Sequence, residues 1–148
     1  MKTAIVYHSY HHGNTKKLVE AIVAKHPDIA LFEAETCQAD ALTSFDLIGL
    51  ASGIYCFSFH KSLLRIAADL PLKQRVFLLS TFGGNKLGLN YARKLEAVLA
   101  TRQAEIVGNF GCLGYNTYGP FKLFGGTGKG HPSDLDLQHA VAFYDSLL

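Results

Sequence analysis

Ser9, Gly13, Asn14 and Thr15 follow an apolar run, Ala4-Ile5-Val6-Tyr7, and lead into Lys16-Lys17-Leu18-Val19-Glu20-Ala21-Ile22-Val23-Ala24-Lys25. Residues of these types between a strand and a helix can bind an anion. The first N–H groups of a helix have no intrahelical partner, and the helix dipole adds partial positive charge beside them. Gly13 lets the backbone approach closely, and Ser9, Asn14 and Thr15 offer side-chain hydrogen bonds. A dianionic phosphate matches that arrangement. An ordinary turn with an Asn or Thr helix cap is the alternative.

Two further segments carry small and aromatic residues with almost no charge. One follows Ser52 (Gly53-Ile54-Tyr55-Cys56-Phe57-Ser58-Phe59), the other Ser80 (Thr81-Phe82-Gly83-Gly84-Asn85). They suit a planar, apolar ring that needs backbone hydrogen bonds at its rim. A phosphate at the first turn and a flat heterocycle between the other two segments describes flavin mononucleotide (FMN). His8, His11, His12 and His60 invite a metal reading, but His8-x-x-His11-His12 falls in a turn with no Cys or carboxylate close by in sequence, so no metal site is expected. Cys56 falls in a candidate ring-binding segment, where a packed or idle thiol is the simpler expectation. Asp134 and Asp136 read as helix-start charges rather than an acid pair.

The elements that must position these residues alternate between strand and helix. Apolar runs predict strands over Thr3–His8, Ile29–Glu33, Asp46–Ser52, Arg75–Thr81 and Ile106–Cys112. Helical spacing predicts helices over Thr15–Lys25, His60–Leu70, Leu89–Thr101 and Asp134–Leu147, with Ser133 as the last N-cap. Glu33–Thr43 reads as irregular. The pattern is that of five mostly parallel strands with helices on both faces. In such sheets ligands bind beyond the carboxyl ends of the strands. Leu113–Pro132 has no clear element, and its aromatics (Tyr115, Tyr118, Phe121, Phe124) imply packing, with cover for the sheet edge the plain reading.

Bulk properties exclude several classes. Formal net charge is +2 with no basic block, so nucleic acid is not an expected partner. No apolar run approaches a membrane span, and no signal peptide is legible, so no membrane insertion is expected. The three cysteines lack a Cys-x-x-Cys pair and suggest reduced thiols in a cytoplasmic setting. A phosphoreceiver domain would need acids after the first and third strands, where Tyr7-His8-Ser9 and Ser52-Gly53 stand instead.

The order of these features resembles the short-chain flavodoxin family over essentially the whole of residues 1–148. Ser9…Gly13-Asn14-Thr15 is the strongest element, supported by Ser52-Gly53-Ile54-Tyr55, Thr81-Phe82-Gly83-Gly84 and Lys129-Gly130-His131-Pro132 before an acidic helix start. The resemblance implies one α/β domain with an open, doubly wound, five-stranded parallel sheet of order 2-1-3-4-5. It implies FMN as cofactor, with Ser9, Tyr10, His11, His12, Gly13, Asn14 and Thr15 at the phosphate. Ser52, Gly53, Ile54 and Tyr55 would lie on one side of the ring, and Thr81, Phe82 and Gly83 on the other.

The chain departs from the family pattern in four ways. The first turn is one residue longer, with His11-His12 where Thr is common, and the chain has no Trp. Tyr55 or Phe82 would then supply ring stacking. Tyr55-Cys56 stands where the family often has a Gly, so a positive φ there would be strained. Near-neutral charge differs from the acidic carriers of the family and implies a more easily reduced flavin. The resemblance favours an electron carrier that is a monomer or weak dimer and meets a redox partner protein, a reductase or an acceptor enzyme. The alternative is an FMN-dependent oxidoreductase, either an NAD(P)H:quinone or flavin reductase. A third form of it rests on Ser52-Gly53-Ile54-Tyr55…His60-Lys61-Ser62-Leu63-Leu64, which resembles flavodoxin-fold protoporphyrinogen oxidases.

Overall fold

A computed structural model of the chain describes residues 1–10, 13–84, 88–115 and 126–148. The elements run β1 (Thr3–His8), α1 (Asn14–Lys25), β2 (Ala30–Glu33), a 3-10 turn (Ala39–Leu42), β3 (Leu47–Tyr55), β4 (Ser58–Phe59), α2 (Lys61–Ala68), β5 (Arg75–Phe82), α3 (Arg93–Thr101), β6 (Glu105–Leu113) and α4 (Asp134–Asp145).

The sheet order is β2-β1-β3-β5-β6, all parallel, with β4 added antiparallel to β3. Counting the parallel strands alone, this is the order 2-1-3-4-5 that the resemblance implies. Its central strands are apolar on both faces because both are covered. Ala4, Val6, Ile48 and Leu50 face α2 and α3, packing with Leu63, Ile66, Leu95 and Leu99. Ile5, Leu47, Phe77 and Leu79 face α1 and α4, packing with Leu18, Ile22, Ala140 and Tyr144. Gly49 is required on that second face, because a Cβ there would come within 2.4 Å of the Phe77 ring.

Beyond shifts of one or two residues at element ends, three stretches depart from expectation. β3 runs on past Ser52 to Tyr55 and folds back through Cys56-Phe57 into β4, pairing Tyr55 with Ser58 and Ile54 with Phe59. This stretch read as a loop because a two-residue hairpin turn normally advertises itself as Asn-Gly or Asp-Gly. Here Cys56 (φ 48°) and Phe57 (φ 63°) take the left-handed conformations that turn demands. α3 begins at Arg93 rather than Leu89, because the Asn90 Oδ1 accepts the Ala92 N–H at 3.0 Å and holds a turn ahead of the helix. The irregular stretch after β2 contains the 3-10 turn, anchored by the fully buried Leu42.

The ends of the helices bring distant parts of the chain together. Ser133 caps α4 reciprocally with Asp136: the Asp136 N–H donates to Ser133 Oγ (3.2 Å), and the Ser133 N–H to the Asp136 carboxylate (2.7 Å). Asp145 at the end of α4 accepts from Lys25 (2.6 Å) and pairs with His26 (2.7 Å) beyond α1. The Tyr144 hydroxyl donates to Thr3 Oγ1 at 3.0 Å, joining α4 to the start of β1.

Candidate functional site

The carboxyl ends of β1, β3, β5 and β6 open onto a cleft. Tyr10, Asn14, Thr15, Gly53, Ile54, Tyr55, Thr81, Phe82 and Gly83 line it, joined by Cys56, Gly114 and Tyr115. Nine of the residues singled out from the sequence are therefore on its walls. Ser9, Gly13 and Ser52 are not among the lining residues, and His11 and His12 lie outside the described residues. So do Tyr118, Phe121 and Phe124.

Gly13 opens the α1 side of the cleft. It sits at φ 62°, ψ 31°, a left-handed conformation that aims the chain into the helix, and no side chain caps α1 there. The Ser9 hydroxyl instead accepts the Lys16 N–H at 3.1 Å, closing the turn from the strand side. Thr15 is almost fully buried, and its hydroxyl lies 2.9 Å from that of Thr81. The two threonines tie the first turn of α1 to the end of β5. Asn14 donates through Nδ2 to the Tyr115 carbonyl at 2.8 Å. Its Oδ1 is buried and has no hydrogen-bond partner among the described residues.

Gly114 and Tyr115 escaped the sequence reading as site residues. The signal was the length of Leu113–Pro132, but nothing in it said which end reaches the cleft. The Gly114 N–H donates to the Phe82 carbonyl (2.8 Å) and the Tyr115 N–H to that of His131 (2.9 Å), which holds both residues at the cleft. Gly114 must lack a side chain, because a Cβ would come within 2.6 Å of the Asn14 amide.

Aromatic rings form the opposite wall. The Tyr55 ring lies over Gly53, where a Cβ would meet its hydroxyl at 3.3 Å. Burial pushes the Tyr55 phenol up, so it stays neutral and able to donate at physiological pH. Tyr55 also packs edge-on against His8 (5.5 Å) and His60 (5.2 Å). Ser52 is fully buried, accepts the His60 N–H at 3.0 Å and donates to the Gly53 carbonyl. It stiffens the wall rather than facing the cleft. Phe82 packs on Tyr91 at 5.6 Å, and Tyr91 on the exposed Phe57 at 6.5 Å. Cys112, deep behind the site, is held as a thiol by burial, its pKa pushed up to about 12.

This geometry has counterparts. An uncharacterized protein of Methanocaldococcus jannaschii is 37% identical over 149 residues, which cover all of this chain and 99% of that protein. The chain belongs to that protein's family, which is flavodoxin-like. Flavodoxin 2 from Bacillus cereus superposes with a TM-score of 0.74 at 19% identity, covering 99% of this chain and 97% of that one. A Fusobacterium nucleatum flavodoxin bound to flavin mononucleotide superposes with a TM-score of 0.68 at 13% identity over 99% and 97% of the two chains. At these identities the structural likeness establishes the flavodoxin-like fold. No family model matches the chain. Among the described residues no helix is long and apolar enough to cross a membrane.

Proposed function

We propose that this flavodoxin-like chain binds FMN in the cleft and serves as an electron carrier for a partner redox protein. The observation that carries the reading is the joining of a helix N-terminus and an uncharged aromatic wall in one cleft at the sheet's switch point. The donor set fits. Ser9, Tyr10, Gly13, Asn14 and Thr15, with His11 and His12 between them, would hold the phosphate through backbone N–H and hydroxyl groups. Tyr55 and Phe82 would flank the ring, and the Thr81–Gly83 backbone would meet its polar edge. The buried Asn14 Oδ1 is an acceptor of the kind a bound ligand satisfies. When bound, FMN accepts and releases electrons, while the chain's residues hold it and keep water from one face.

The decisive experiment is a visible spectrum of the purified protein with added FMN. The expected outcome is saturable loss of flavin fluorescence. Absence of binding at high flavin concentration would leave the turn as a plain helix start. A carrier leaves NAD(P)H untouched unless a reductase is added. Unaided oxidation of NAD(P)H, or reduction of a quinone, would instead identify an oxidoreductase.

A further inference from the structure

Behind the Tyr55 wall lies a group of side chains that flavin binding does not use. His8 ends β1, Glu35 follows β2 and His60 precedes α2, so three segments distant in sequence converge. One ligand-type atom from each, an imidazole nitrogen or a carboxylate oxygen, lies within 4.8 Å of the others. Two imidazoles and a carboxylate form a donor set suited to Zn²⁺ and neighbouring divalent cations. From this convergence we propose that His8, Glu35 and His60 bind a divalent first-row transition-metal cation, Zn²⁺ being the best match. The proposal stands independently of the flavin reading.

The surroundings supply what such a site needs. Glu35 brings negative charge and contacts His8 Nδ1 directly, so a cation would take the place of the hydrogen now shared between them. His60 Nδ1 accepts the Ser62 N–H at 3.2 Å and lies 2.8 Å from the Ser62 hydroxyl. That places the ring hydrogen on Nε2, so a cation binding there requires the hydrogen to shift to Nδ1, which then releases the Ser62 N–H and donates to Ser62 Oγ, the outer contact that metal-bound imidazoles use. The side chain of His8 is 13% exposed and that of Glu35 49%, which gives the cation an entry from solvent on the Glu35 side. The His8 and His60 rings stack at 3.6 Å with a 2° interplanar angle. An imidazole binds metal in its own plane, so one ring turns edge-on as the cation enters. Tyr55 touches both rings and would register that movement.

The sequence kept this site from view. Its carboxylate is 27 residues from His8, and only the pairing of β1 with β2 brings it near.

The test uses the full chain, free of any affinity tag and stripped with chelator, titrated with Co²⁺ by absorption and with Zn²⁺ by calorimetry. One equivalent should bind, with visible Co²⁺ bands of low coordination number and shifted ring signals from His8 and His60 in NMR. Glu35→Gln and His60→Gln should each weaken binding at least about tenfold, and Ser62→Ala about tenfold. The double variant His11→Ala, His12→Ala should bind as tightly as the parent. Glu35 is half exposed, so Glu35→Gln tests the site without threatening the fold. Absence of stoichiometric binding at millimolar metal would overturn the proposal. So would affinity unchanged in both Glu35→Gln and His60→Gln, or lost in the His11, His12 variant. In each of those cases the group is a hydrogen-bonded cluster only.

Discussion

At the scale of single residues, the cleft depends on polar groups that satisfy one another across elements. Replacing Thr15 with Val keeps the shape but leaves the Thr81 hydroxyl buried alone. That should cost about 1–3 kcal/mol of stability, seen as a lower urea midpoint, and should weaken FMN binding as well. Asp136 gives a pH-dependent case. Burial alone would push its carboxyl up, but hydrogen bonds from His131 and from the Ser133 N–H and hydroxyl outweigh it and hold it below the ordinary range. A folded pKa below the unfolded one stabilises the fold above the unfolded value. That contribution is lost as pH falls through the folded one. Asp136→Asn should therefore cost about 1 kcal/mol near neutrality, the usual worth of a cap. The gap to the parent should close in acid, which urea titrations at two pH values will show. At this scale the sequence was partly legible. Asn14, Thr15, Tyr55 and Thr81 advertised themselves by type and place. The pairing of Thr15 with Thr81, like that of Asn14 with Tyr115, did not, since no local pattern links residues so far apart.

At the scale of elements, the β3–β4 hairpin carries the clearest strain. Left-handed backbone costs an ordinary L-residue roughly 1 kcal/mol, and the turn uses two such residues. Substituting Cys56→Asn and Phe57→Gly together should raise stability by about 1 kcal/mol, measured by thermal or urea unfolding. Gly49 is the opposite case. Gly49→Ala places a methyl inside the Phe77 ring's space on a central strand, and should destabilise by about 1–3 kcal/mol through overpacking. The regular elements were legible because a covered parallel sheet writes long apolar runs, and helices write their spacing. The hairpin was not, because its turn is built from residues that rarely make one. The start of α3 shifted because one Asn side chain competes with the helix for backbone hydrogen bonds, a contest that periodicity does not record.

For the molecule as a whole, net charge bears on redox behaviour. With a formal charge of +2, little negative field opposes added electrons. A bound flavin should therefore titrate at a less negative potential than in strongly acidic carriers, by an amount that shrinks as salt is raised.

The chain's two ends are also neighbours in space, with consequences for how it is made. Thr3 in the first strand bonds Tyr144, and Lys25 and His26 after the first helix are held by Asp145. Synthesis runs from the amino end, so β1 and α1 leave the ribosome long before the helix that covers their face. The cluster that Ile5, Leu18 and Ile22 begin stays incomplete until Ala140 and Tyr144 join it. Until α4 docks, the nascent chain offers chaperones an apolar face, and the turn before α1 lacks part of its frame.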